Sequence, residues 1–130
     1  MKYLGIDYGV KRLGLALSDG EGKIAFPHSV IQNNENIISD IKNLVKREGV
    51  GEVVVGESND FHGNPNKIMK EIEIFVQKLR EEFNLIVHLE PEFLTSIEAE
   101  RVQGKNNMHD ASAAAIILQS FLDKRKNVVI

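Results

Sequence analysis

The apolar residues of this chain keep a strand period through three runs and then alternate between helix and strand periods, and that order limits the folds open to it. Up to that point the spacing is that of strands. "RLGLALSD" alternates strictly, with Leu13, Leu15 and Leu17 on one face and Gly14, Ala16 and Ser18 on the other. Before it stands "KYLGID", a short apolar run ending in an acid, and after it "IAFPHSV"; the turns between are "YGVK" and "GEGK". Three short strands joined by tight turns predict an antiparallel meander, and Pro27 makes the third an edge strand or one carrying a bulge. From Ile37 the spacing is helical. Ile37, Ile38, Ile41, Leu44 and Val45 form one stripe, and Gly49 and Gly51 stop it.

Strands and helices then alternate. "EVVVG" reads as a buried strand and "ESNDFHGN" as a polar loop. Asn64 and Pro65 open a helix whose stripe is Ile68, Ile72, Phe75, Val76, Leu79 and Phe83. "LIVHLE" is a fifth strand. "TSIE" fits a capping box, Thr95 with Glu98, ahead of a short helix running to Gly104. "GKNNMH" is a loop, and "DASAAAIILQSFLDKR" a last, alanine-rich helix; the "DKRK" at its end is expected to be frayed and solvated. The order βββ-α-β-α-β-α-α predicts an α/β fold: one mixed five-stranded sheet, antiparallel over its first three strands and parallel over the last two, flanked by helices. The whole chain, 1–130, is expected to be a single domain.

Composition narrows the function. There are no cysteines, which excludes disulfides, thiolate metal sites and a thiol nucleophile. No apolar run approaches the ~18 residues that cross a membrane, and "MKYLGIDYG" does not read as a signal peptide, so a cytoplasmic protein is expected. The formal charge of −3 argues against a globally basic nucleic-acid binder and leaves a local basic patch open.

Carboxylates stand at strand ends. Asp7 ends the first strand, Glu57 follows the fourth, Glu90 and Glu92 lie at or past the end of the fifth, and Asp110 begins the last helix. In a sheet of the expected topology they gather at one edge, where such sheets bind ligands. Clustered carboxylates repel unless a cation joins them, and hard ions such as Mg²⁺ or Mn²⁺ take carboxylate oxygens beside substrate phosphates. Two such ions clamp both oxygens of a phosphoryl displacement. Gly5 and Gly9 leave room for close approach, and Gly9 can take a positive φ in its turn. Taken singly, each acid also has a plain use as a turn, cap or solvated residue. The four histidines show no ligand spacing and read as structural or surface residues, though His109 is placed to meet a phosphate. Lys11 and Arg12, in the first hairpin turn, can hold a phosphodiester backbone.

These pieces resemble a known family. "GIDYGVKRLGLALSD" is similar to the opening of the YqgF (RuvX-type) proteins, G-I-D-x-G-x-K-R-I-G-x-A-x-S-D. "DASAAAIILQSFLD" resembles their D-A-x-A-A-x-I-L-Q-x-Y-L-D, and "PEFLTS" takes the place of D-E-R-L-T-T, with Pro91 for the aspartate and Phe93 for the arginine. The resemblance implies a ribonuclease H-like fold and a metal-dependent nuclease. Members are described as Holliday junction resolvases and as nucleases that mature the 5′ end of pre-16S rRNA. By position, Asp7, Glu92 and Asp110 match the family's metal-binding acids, while Glu57 stands where the related RuvC resolvases carry a strand-end glutamate. Glu90 is held in reserve. Thr95 and Ser96 match the family's threonine pair, and are taken with Lys11, Arg12 and His109 as substrate contacts.

The resulting expectation is a nuclease acting with Mg²⁺ or Mn²⁺ on structured nucleic acid, an rRNA precursor before a four-way DNA junction. It would be a monomer or a homodimer, with no membrane partner. Two other classes compete. Actin-like ATPases and sugar kinases open with a similar hairpin, but they need two such domains. A nucleic-acid-binding module with a decayed site would fit the altered "PEF".

Overall fold

The structure, a computed structural model, describes residues 1–58, 67–92 and 109–128, and the side chains at 92, 109 and 126–128 stand outside that description. Five strands form one sheet: β1 Lys2–Asp7, β2 Arg12–Ser18, β3 Ala25–Gln32, β4 Val50–Ser58 and β5 Ile86–Glu92. The helices are α1 Ile37–Glu48, α2 Met69–Glu82 and α3 His109–Val128. The strand order is β3-β2-β1-β4-β5. β1, β2 and β3 pair antiparallel, while β4 runs parallel to both β1 and β5. This is the mixed sheet expected from the order of periods.

Details differ in instructive ways. Pro27 gives both of its predicted effects at once: β3 is an edge strand, and its pairing with β2 shifts register between Leu15 and Ala16. Glu57 and Ser58 belong to β4 and not to the polar loop, because β5 continues to pair with them out to Glu92. Gly49 alone stops α1, in the left-handed conformation at φ 67°, and Gly51 already lies in β4. α2 begins at Met69, later than expected. Its predicted start at Asn64 and Pro65 lies outside the described residues, as do His62, Thr95, Ser96, Glu98 and the short helix ending at Gly104.

The sheet separates two cores of different character. On one side Leu4, Ile6, Leu13, Leu15, Val53 and Val55 meet Ile41 and Leu44 of α1 and Ile72, Phe75, Val76 and Leu79 of α2. Each such side chain contributes about 1.5–3 kcal/mol through burial. On the other side Tyr3, Ala16 and Val54 meet Ala114, Ile117, Leu118 and Leu122 of α3. The alternation in β2 thus assigns its leucines to the α1/α2 side and Gly14, Ala16 and Ser18 to α3.

α3 lies very close to the sheet. A Cβ at Gly14 would overlap the carbonyl of Asp110, and one at Gly5 would stand 2.7 Å from Leu118 Cβ. Gly14→Ala is therefore expected to lose about 3 kcal/mol in urea unfolding, the upper range for overpacking. Gly20→Ala, where nothing lies within 4 Å of the added carbon, should stay within about 0.5 kcal/mol of wild type.

Candidate metal and nucleic-acid site

β1 alternates Tyr3, Gly5 and Asp7 toward α3, and Leu4 and Ile6 away from it. Asp7 pairs with Gly14 across the β1–β2 ladder. The first residues of α3 rest on that same Gly14, so Asp110 comes down beside the end of β1. The two acids predicted as the primary pair are therefore placed at the same end of the sheet, Asp7 beside Gly14 and the Asp110 backbone over it. Asp110 is mostly buried, with 24% of its side chain exposed, and its Oδ2 accepts a 2.6 Å hydrogen bond from Arg12 Nε. Arg12 itself is 60% exposed.

The other predicted acids are placed differently. Glu57 follows Val53 and Val55 in alternation, which turns it to the α1/α2 side, opposite Asp7 and Asp110. Glu90, the reserve candidate, is already engaged. Its side chain is only 4% exposed, and Oε2 accepts hydrogen bonds from Lys124 Nζ at 2.6 Å and Ser120 Oγ at 3.0 Å. Glu92 ends β5 opposite Ser58 and has the strand parity of His88 and Glu90. Among the described residues, no three His, Asp or Glu side chains converge tightly enough to hold an ion.

The hairpin tip carrying the candidate phosphate contacts is held from β3. Asn33 Nδ2 donates to the Gly9 carbonyl at 2.8 Å, and the Asn33 N–H donates to the Lys11 carbonyl at 2.9 Å. Gly9 does not take a positive φ. Its missing side chain matters for space instead, since a Cβ there would come within 2.5 Å of the Arg12 carbonyl.

The family-like "SD" at positions 18 and 19 serves the opposite end of β2. Ser18 Oγ accepts the Tyr3 N–H at 2.8 Å and donates to the Asp19 carbonyl at 2.8 Å. The Asp19 carboxylate accepts the N–H groups of Lys23 and Ile24 at 2.7 and 3.0 Å. Those bonds, Ile24's first, hold its carboxyl below the usual range. Half of that motif is thus a turn device.

Comparison with known proteins shows the family and the fold. Residues 1–124 match the family described as RuvX: Holliday junction resolvase. The chain belongs to the RuvX family. It is 34% identical to a relative from Anaplasma marginale, covering 96% of this chain and 86% of the relative, and 37% identical to one from Nitratidesulfovibrio vulgaris, covering 95% and 94%. Both relatives are provisionally named pre-16S rRNA nuclease. Among solved structures, Thermus thermophilus RuvC in complex with a Holliday junction superposes with a TM-score of 0.62 at 19% identity, over 97% of this chain and 96% of that one. The fowlpox virus Holliday junction resolvase gives 0.60 at 13% identity, over 96% and 99%. The RuvX chain therefore has the resolvase-type, ribonuclease H-like fold.

Sequence reasoning missed the contacts at the far end of α3. Lys124 and Arg125 are not a frayed tail. Lys124 binds Glu90, while Arg125 Nη1 lies 3.6 Å from Glu52 Oε1, which also meets His88 Nε2 at 2.7 Å. No sequence signal pointed to them, because each pair joins residues far apart in the chain. The Glu90 contact has an asymmetric consequence. Lys124→Ala strands a buried carboxylate and is expected to cost about 2 kcal/mol in urea unfolding. Glu90→Gln leaves an exposed lysine free to hydrate and should cost less than half as much.

Proposed function

We propose that this RuvX chain is a metal-dependent nuclease that hydrolyses phosphodiester bonds and processes the 5′ end of pre-16S rRNA. The observation that carries the reading is the placement of Asp7 beside Gly14 and of the Asp110 backbone over it at the end of the sheet, in a chain that matches its family over residues 1–124. The names of the relatives support the RNA substrate.

The donor set fits a hard cation. It offers carboxylate oxygens and no thiolate, and the two histidines whose side chains are described are occupied elsewhere: His28 with Ser29 and His88 with Glu52. Asp7 and Asp110 would hold Mg²⁺ or Mn²⁺ together with Glu92. The opposite orientation of Glu57 makes it the weaker fourth candidate. Such an ion, when bound, supplies an activated water and neutralises charge on the leaving oxygen. Lys11 and Arg12 on the braced hairpin tip would orient the backbone phosphate, with Thr95, Ser96 and His109 as further contacts. The apolar floor beneath the acids, Ile6, Leu15 and Val55, keeps the strand ends rigid so that those oxygens stay in place.

End-labelled precursor rRNA incubated with Mn²⁺ should be cleaved by wild type. Asp7→Asn should lose more than about a hundredfold in rate, because even outer-shell partners of metal sites are worth ten- to a hundredfold. A four-way DNA junction belongs beside it, given the family's description. Cleavage of the junction alone would move the substrate to DNA. Equal background from both proteins on both substrates would leave a binding module.

A further inference from the structure

Asp110 is paired with a cation that is easy to move. Arg12 Nε donates to its Oδ2 at 2.6 Å, yet the arginine side chain is 60% exposed. Among the described residues, Asp110 is the one ion-pair partner of that guanidinium. Its backbone opens β2 two residues before Gly14, beside the end of β1 where Asp7 lies.

We propose that Arg12 is an exchangeable cation: it neutralises Asp110 until a divalent ion takes that carboxylate, and then passes to a substrate phosphate. This rests on the metal-nuclease reading above and adds a role for one residue of that site. Three physical points support it. A guanidinium hydrogen-bonded to Oδ2 stands within about 5 Å of any ion sharing that carboxylate, and like charges at that distance repel. An exposed ion pair biases an equilibrium by only about fivefold at most, so a divalent ion can displace it. The released fork of N–H donors matches a phosphate oxygen pair, which gives the arginine a destination.

The backbone around Arg12 does not need to move. Asn33 ties the carbonyls of Gly9 and Lys11 to the end of β3, so the head can swing from a fixed base. The contrast with Lys124 is informative, because that cation binds a carboxylate that is only 4% exposed and is a permanent partner. The rival arrangement keeps Arg12 in place as an outer-shell partner that orients Asp110 for the metal. It predicts the opposite sign.

The test is calorimetric titration of Mn²⁺ into the full chain without nucleic acid, comparing wild type with Arg12→Gln, Arg12→Lys, Lys11→Gln and Asp7→Asn. Arg12→Gln is expected to bind Mn²⁺ roughly three- to fivefold more tightly than wild type. Arg12→Lys, which keeps the charge, should stay near wild type, and Lys11→Gln should tighten binding by less than half as much. In cleavage assays Arg12→Gln should raise KM for the RNA by roughly fivefold with a smaller change in kcat. Unchanged or weaker Mn²⁺ binding by Arg12→Gln overturns the exchange, and so does equal tightening by Lys11→Gln, which would mark a general charge effect. Wild-type Mn²⁺ binding that does not depend on Asp7 overturns the metal-nuclease reading and the exchange together.

Discussion

The distance between α3 and the sheet is the constraint on which the rest depends. At Gly14 there is no room even for a methyl group, because the Asp110 carbonyl occupies the place of a Cβ. At Gly5, Leu118 does nearly the same. On the helix side the contacts are made small as well, with Ala111, Ala113 and Ala114 fully buried. Glycine inside a strand costs about 0.5–1 kcal/mol in backbone entropy. That cost is offset by the close packing it permits, and the packing fixes where Asp110 sits relative to Asp7. A bulkier pair of surfaces would fold into the same topology with the two acids further apart.

The other end of α3 is secured by charge. Lys124 reaches the buried Glu90 on β5, and Arg125 lies near Glu52 on β4 while standing over the rings of Tyr3 and Phe121 at 5.7 and 5.5 Å. His88 completes the group through Glu52 and a ring contact with Phe121. Apolar packing of Ile117, Leu118 and Leu122 would tolerate some sliding along the sheet. Directional contacts to two different strands resist sliding, and so set the helix's position along its axis. The large apolar core on the α1/α2 side supplies most of the burial, while the α3 side supplies the alignment.

Much of this was legible in the sequence because the hydrophobic period is clean. The leucine alternation in β2, the helical stripes of α1 and α2, and the valines of β4 each admit one regular structure, and their order admits few topologies. Asp7 and Asp110 were readable for the same reason: each marks the boundary of an element whose type was clear. Glu57 was misread in part. Its strand runs two residues further than its apolar run, and a strand continued by pairing alone leaves no compositional mark. Once it is counted within the strand, its parity turns it away from Asp7. The Glu90–Lys124 and Arg12–Asp110 pairs were invisible because they join residues far apart in sequence, and charge along one element says nothing about what another brings to it.

Arg12 and Asp110 lie 98 positions apart, and Asp7 comes from the first strand of the sheet. The acids of the candidate site thus come from the first strand and the last described helix, far apart in the order of synthesis. Until α3 emerges, the sheet face bearing Tyr3, Ala16 and Val54 lacks the helix that packs on it, and Asp110 is not yet in place over Gly14. Before α3 is made, the candidate site therefore lacks one of its two acids, and a product truncated ahead of α3 would expose an apolar sheet face that favours aggregation. The helix that covers the sheet face also brings the second acid, so packing and site assembly are one event.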